Sequence, residues 1–419
     1  MSTQPIPEPI PGPAVIPEPT PPAVDTWTSN HYGRRRMTVA ELTDTEREVQ
    51  GLVREFARAE IAPHSQEWNE THHVPVEILR RMAEMDLLGV IIPEEYGGAG
   101  LGYAHLAIVM EEIAAADAGT STGVAVQNSL GAAPILRAGT EAQKEAYLPE
   151  LATAKRFAAY ALTEPDAGSD TANIRTAARA DGDDWVVSGA KQWITNGGFA
   201  DLFILYARTG GPGAKGISCF LAEKGDGFTV GREMPKLGLH TSSTVELAFD
   251  GYRVPGDAMM GEEGQGLKIA LATLDSGRII IAAQACGIAR AALDVAVGYA
   301  QERHAFGGPI ARLQGVQFPL AEVAAKLEAA RLLTMHAARL RDAGEPHTAV
   351  GAKAKLFASQ VAVEAADTCV QTLGGYGYSA EFPAERLYRD ARITQIYEGT
   401  SEIQRLVIAR DLLGDAARG

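Results

Sequence analysis

The apolar residues of this chain change period twice, and that change narrows the possible folds more than any other feature. From Thr43 to about Leu151 they recur at helical spacing. Glu46 to Ile61 carries Val49, Leu52, Val53, Phe56 and Ala57 on one face, and Val76 to Leu88, Leu106 to Ala116 and Glu141 to Leu151 repeat the pattern. From about Phe157 to Phe249 short β-type runs take over, clearest at Trp185–Val187, Leu202–Tyr206, Ile217–Ala222 and Val245–Phe249, with Gly and Asp turns between them. From Gly266 to Leu413 the helical period returns in long stretches, Gly266 to about His304, Leu313 to Asp342 and Ala349 to Leu373. Helices, then strands, then helices predict an α+β chain, mostly α, with segregated layers. The expected division is a proline-rich disordered tail over 1–37, an N-terminal α-helical domain over 38–156, a middle β-sheet or barrel domain over 157–265, and a C-terminal four-helix bundle over 266–419.

Composition limits the function. The formal net charge of −15 argues against nucleic acid or an anionic membrane as partner. No segment reads as a membrane span. No G-x-G-x-x-G opens a βαβ unit, and there is no P-loop. Cys219, Cys286 and Cys369 are far apart and show neither metal-ligand spacing nor a disulfide framework. This predicts no metal and a reducing, cytoplasmic compartment, with Cys286 and Cys369 as core thiols in helical apolar patterns. Nine of the 22 prolines lie in residues 1–25. Such a segment reads as a solvated polyproline-like tail or a docking arm for a Pro-recognising partner.

Three segments carry candidate chemistry. Gln395 to Arg405 places Glu398 in an apolar, Gly-containing turn before a helix start at Ser401-Glu402. A carboxylate desolvated by Ile396 and Tyr397 has a raised pKa and suits a general base near neutral pH; a solvated Glu in a capping segment is the alternative. Tyr160 to Asp170 runs from a short strand into a loop that offers the Thr163 and Ser169 hydroxyls to a polar ligand, or is a plain Pro-Asp-Ala-Gly turn. In Lys191 to Gly198, strand alternation puts Trp193 and Thr195 on one side, where they can hold a flat heteroaromatic ring; a core Trp before an Asn-Gly-Gly turn is the alternative.

In this order and at these separations, the three segments resemble the flavin-dependent acyl-CoA dehydrogenases. The resemblance extends to Pro93–Gly100, to Glu302–Gly307 with Gln314 after it, to Gln371–Gly375 and to Tyr388–Ala391, and so covers about residue 38 to the end. It implies FAD-dependent α,β-desaturation of an acyl-CoA thioester to the trans-2-enoyl-CoA. Glu398 is then the base. Its backbone N–H, with a ribityl hydroxyl of FAD, holds the thioester oxygen. Thr163 and Thr195 bond the reactive flavin ring, Trp193 packs beside it, and Ser169 is shared between the cofactor and the CoA arm. Tyr160, Leu162, Gly168, Ile194, Thr400 and Glu402 are further expected cofactor contacts. Asp275, Arg278, Tyr397 and Gly399 are expected at the substrate, although an Arg278–Asp275 salt bridge is an equal reading of that pair. Arg303, Phe306, Gln314, Gln371, Gly374 and Gly375 are expected to reach the FAD of a neighbouring subunit in a homotetramer, a dimer of dimers.

Ser276-Gly277 before Arg278 offers no carboxylate, which counts against the members whose base lies on the long helix. Gly119 to Val124 offers no cation for a dicarboxylyl substrate. The C-terminal half looks most like the short-chain, butyryl-type members, with electron-transfer flavoprotein as acceptor. An oxidase or flavin monooxygenase of the same fold, or a non-catalytic binding protein, are the alternatives. None of these motifs lies in the proline-rich tail. A chain starting near Met37 is therefore expected to fold, bind FAD and turn over like the full chain. Loss of FAD or of activity on truncation would show instead that the tail packs on the body, with Trp27 and Tyr32 as its anchors.

Overall fold

The computed structural model describes residues 42–417; the proline-rich tail, with Trp27 and Tyr32, lies outside them. Among the described residues, seven helices precede the sheet: α1 (Asp44–Phe56), α2 (Ser65–Thr71), α3 (Val76–Ala83), α4 (Tyr103–Ala116), α5 (Ala118–Ala125), α6 (Ala133–Ala138) and α7 (Glu141–Ala152). The first opens on a reciprocal cap, with Thr43 and Glu46 each satisfying the other's backbone N–H, and Thr140 and Gln143 repeat the device at α7. The helical run from Glu46 to Ile61 forms, but its last turn, Ala57–Ile61, is a π-helix. Leu52 is exposed, so the inward stripe is narrower than its apolar residues imply.

The middle region is an eight-stranded sheet: β1 (Ala158–Ala161), β2 (Ala177–Asp181), β3 (Asp184–Thr195), β4 (Leu202–Arg208), β5 (Ile217–Glu223), β6 (Phe228–Glu233), β7 (Thr244–Val254) and β8 (Met259–Met260). The order is β6-β7-β3-β2-β4-β5-β8, with β1 parallel to β4. Strand β4 is apolar along nearly its whole length because both its faces are covered. Leu202, Ile204 and Tyr206 pack with Ile135 of α6, Leu148 of α7 and Leu267 of the following helix. Phe203, Leu205 and Ala207 pack with Val187, Leu247, Phe249 and Val254 from other strands of the same sheet, which encloses a core of its own.

Five more helices complete the described residues: α8 (Gly266–Glu302), α9 (Gln314–Asp342), α10 (Thr348–Leu373), α11 (Ala384–Ile393) and α12 (Ser401–Leu413). Helices α8 to α11 pack on one another, and α4 and α1 join the same core. Small residues let α8 and α4 approach closely: a Cβ at Gly287 would lie 2.5 Å from the Glu111 carbonyl. The expectation that no segment has a membrane-spanning length is corrected here. Helix α8 is long and apolar enough, with a mean hydropathy of 1.6 over its most apolar window. It is apolar nearly all round because other helices surround it, and 78% of that window is buried within the protein.

Candidate functional site

Glu398 lies in the turn between α11 and α12, pressed against α8. Its φ of 50° is left-handed, and so is the 92° of Gly399 after it. Helix α8 makes room for the side chain at one residue: a Cβ on Gly277 would stand 2.0 Å from Glu398 Oε2. That oxygen is buried and has no hydrogen-bond partner in the protein. Burial raises the carboxyl to about 7, against the opposing charges of Lys355 and Arg278. Of the two residues expected to desolvate it, Ile396 is instead exposed and Tyr397 is half-buried; Gly277 and the surrounding helices complete the enclosure.

Buried groups from three helices fix the turn. Lys355 Nζ of α10 donates to the Gly399 carbonyl at 2.7 Å, and Gln404 Nε2 of α12 donates to the same oxygen at 2.8 Å. The Tyr397 hydroxyl donates to Gln284 Oε1 of α8. Gln284 Nε2 in turn reaches Ala118 O, Ser121 Oγ and Thr122 Oγ1 at 3.0, 2.9 and 3.1 Å. Thr400 caps α12 by accepting from the Ile403 N–H, and Glu402 in its first turn is exposed and paired with Arg405. Arg278 is buried and paired with Asp275 at 2.6 Å, and Thr348 donates to the second Asp275 oxygen at 2.9 Å. The Arg278–Asp275 ion pair thus forms, within α8 rather than between helices or on the surface. The Arg278 Nε, buried without a partner, remains available to a ligand.

The sheet approaches from the other side. Tyr160 of β1 donates to Ala270 O of α8 at 3.4 Å. Burial pushes its phenol well up, and the Glu398 charge adds to the effect. The loop after β1 is tied down by Glu164, which accepts from the Arg175 and Thr176 N–H groups and from the buried Lys191. Lys191 also donates to Leu162 O, and the Gln192 N–H to Thr163 O at 2.9 Å. Loop residues Gly168 and Ser169 are exposed, while Leu162 is buried.

Plain alternation fails at Trp193. The pairing of β3 with β7 slips between Lys191 and Ile194, and Trp193 takes a φ of 62°. The bulge keeps Lys191 and Ile194 both buried although they are three residues apart, and leaves Trp193 53% exposed. A core Trp is thereby excluded. The indole is open, and Thr163 and Thr195 are half-buried. An open groove of about 580 Å³ lies at the far end of the bundle, where Arg303, Gly374, Gly375 and Tyr376 line it. Phe306, 92% exposed with a φ of 52°, and the exposed Gln314 and Gln371 belong to the same region of the chain. No residue of the Tyr160 or Trp193 segments lines that groove. Among the described residues no cluster of His, Cys, Asp or Glu suits a metal, and all three cysteines are buried and unpaired.

Lys355, Gln284 and Gly277 are absent from the sequence-based site. Lys355 was detectable, since it occupies a buried turn of α10 between Ala352 and Ala358, where a lysine needs a reason.

Models of the acyl-CoA dehydrogenase N-terminal, middle and C-terminal domains match residues 43–155, 159–252 and 264–413. The short-chain specific acyl-CoA dehydrogenase, mitochondrial, of Bos taurus is 47% identical over 388 residues, covering 91% of this chain and 94% of that protein. The butyryl-CoA dehydrogenase of Megasphaera elsdenii superposes with a TM-score of 0.88 at 42% identity, over 89% of this chain and 99% of that one. A chain solved in work on the electron transferring flavoprotein of Acidaminococcus fermentans superposes with a TM-score of 0.88 at 44% identity, over 90% and 99%.

The Gly277 gap generates a prediction. Gly277→Ala is expected to fold, since alanine favours a helix by about 1 kcal/mol over glycine, yet to expel the Glu398 carboxyl toward water. Infrared titration of that carboxyl should show its midpoint falling from near 7 toward the ordinary range of roughly 4.3. An unchanged midpoint would mean that Gly277 does not shape the site.

Proposed function

Because the chain belongs to the acyl-CoA dehydrogenase family, a family of FAD-dependent oxidoreductases acting on CH–CH bonds, we propose that it desaturates a short-chain acyl-CoA with Glu398 as the base. The observation that carries this reading is the buried, unpartnered Glu398 Oε2, on a carboxyl poised near pH 7. The α-proton of a thioester is weakly acidic. A base must therefore be desolvated enough to be strong, yet still ionised at working pH. The Glu398 carboxylate takes that proton. The Glu398 backbone N–H stabilises the charge that develops on the thioester oxygen. The Glu398 turn, fixed by Lys355, Gln404 and Gln284, needs no rearrangement during the step.

FAD, when bound, supplies the acceptor for the β-hydride, which no protein side chain can supply. The residues present fit it. The exposed Trp193 indole and the Thr163 and Thr195 hydroxyls suit the flavin ring, with Tyr160, Leu162, Gly168, Ser169 and Ile194 around them. Arg303, beside the Gly374-Gly375 groove, suits a pyrophosphate, and Phe306, Gln314 and Gln371 flank it. We assign these two groups to different copies of the chain in a dimer of dimers. The exposure of Phe306, Leu313 and Phe318 supports this assignment. Arg278 and Asp275 serve the CoA arm with Ser169, while Tyr397 and Gly399 border the acyl group. Thr400 and Glu402 stand at the start of α12, beside the cofactor.

The short acyl chain rests on the likeness to the Bos taurus and Megasphaera elsdenii enzymes. Electron-transfer flavoprotein is the proposed acceptor, on the likeness to the chain studied with that protein from Acidaminococcus fermentans. A cytoplasmic site fits three buried, unpaired thiols.

Two variants test this assignment. Glu398→Gln keeps the shape and removes the base, so FAD and acyl-CoA binding should survive while kcat falls by orders of magnitude. Comparable turnover would move the search for the base elsewhere. Arg303→Ala should lower FAD occupancy and loosen the oligomer, read by flavin absorbance and sedimentation. A stable monomer with full FAD would refute the shared site.

A further inference from the structure

Lys355 is a buried lysine to which the desaturation scheme gives no electrostatic task, only that of fixing the Glu398 turn. It is fully buried on α10 and forms no ion pair among the described residues. Its ammonium bonds a carbonyl, that of Gly399, at 2.7 Å. A buried ammonium normally sits against a carboxylate; here burial lowers Lys355 to about 7, and the Glu398 charge is what opposes that most. Here the carbonyl belongs to the residue directly after Glu398. Two successive left-handed residues, Glu398 and Gly399, hold their shape only when surrounding groups fix them, and the Gly399 carbonyl is the point of attachment.

The charges around Glu398 single out the same residue. Helix α8 contributes Arg278, which is already paired with Asp275. Helix α12 contributes Glu402, exposed and paired with Arg405. Strand β1 contributes Tyr160 and the turn itself Tyr397, both phenols pushed up by burial. Lys355, from α10, is the cation with no carboxylate bound to it, and of the charges it does most to oppose the burial of Glu398.

We propose that Lys355 is the positioning residue of the base: it anchors the Glu398 turn through the Gly399 carbonyl and places a positive charge beside the carboxylate, which keeps Glu398 ionised where it must accept a proton. This rests on the reading of Glu398 as the base. The sign follows from the charges. A cation favours the ionised carboxyl, so its removal raises the Glu398 midpoint and moves the acid limb of kcat/KM to higher pH.

The test uses the FAD-loaded enzyme with Lys355→Met, which loses charge and donor; Lys355→Gln, which loses only the charge; and Lys355→Arg, which keeps it. Infrared titration follows the carboxyl band that Glu398→Gln abolishes, and the pH profile of kcat/KM is recorded beside it. The Met and Gln variants should raise both midpoints by about one pH unit or more, and Arg should stay near wild type. The Gln variant supplies the reading if the Met variant does not fold. Midpoints unmoved in the neutral variants, whatever their melting temperatures, would overturn the proposal. If Glu398→Gln is inactive while the midpoints stay put, Lys355 alone is misassigned. If Glu398→Gln turns over normally, it is the base itself that is misassigned.

Discussion

The fold around the site depends on one contact, the Glu398 carboxyl lying where a side chain of α8 would otherwise be. A Cβ at position 277 would fall 2.0 Å from Oε2, so the chemistry of the turn and the sequence of the helix are not independent. The helix is continuous from Gly266 to Glu302 and buried over most of its length. It can take a carboxylate against its backbone only at a residue without a side chain. From that contact follow the burial of Glu398, its raised pKa and the absence of a protein partner for Oε2. An isolated buried charge is costly. The site answers this with charges that are near but not bonded to it, and Oε2 keeps no protein partner.

The surroundings convert a strained turn into a rigid one. Gly399 O is held from α10 and α12, and Tyr397 from α8 through Gln284 to the start of α5. The β-region is fastened to the same helices elsewhere. The loop between β6 and β7 sends the Leu239 N–H to Asp390 of α11 at 2.6 Å and the Thr241 hydroxyl to Asp117. Burial raises the Asp390 carboxyl to about 6. The indole of Trp193 and the carboxyl of Glu398, on separate layers, are thus set against a common frame.

Much of this could be read from the sequence because the periods are long and clean. Helices α8, α9 and α10 and strands β4, β5 and β7 fall close to where the spacing predicts them. Strand β2 is the Ala-rich AARAD, without a β-branched residue, and β6 carries a Gly, so neither announces itself. Residues 117–132 are buried all round and so have no amphipathic period to read. The motif segments are legible in the sequence, but not how they pack. Alternation predicted a shared face for Trp193 and Thr195, whereas a bulge presents the indole. Ile396 looked like the desolvating neighbour and is exposed. Gly277 was noted only for lacking a carboxylate, when its missing side chain is the space the carboxylate occupies. These are facts of packing between distant segments, which local pattern does not carry.

The central claim is that burial holds a catalytic carboxylate near neutrality, and the rate of the reductive half-reaction tests it most directly. Purified holoprotein mixed anaerobically with butyryl-CoA should bleach its flavin at a rate that climbs with pH through a midpoint near 7, where Glu398 ionises. A rate that is flat from about pH 5 to 9, or that rises through the midpoint of roughly 4.3 of an ordinary glutamate, would contradict the account.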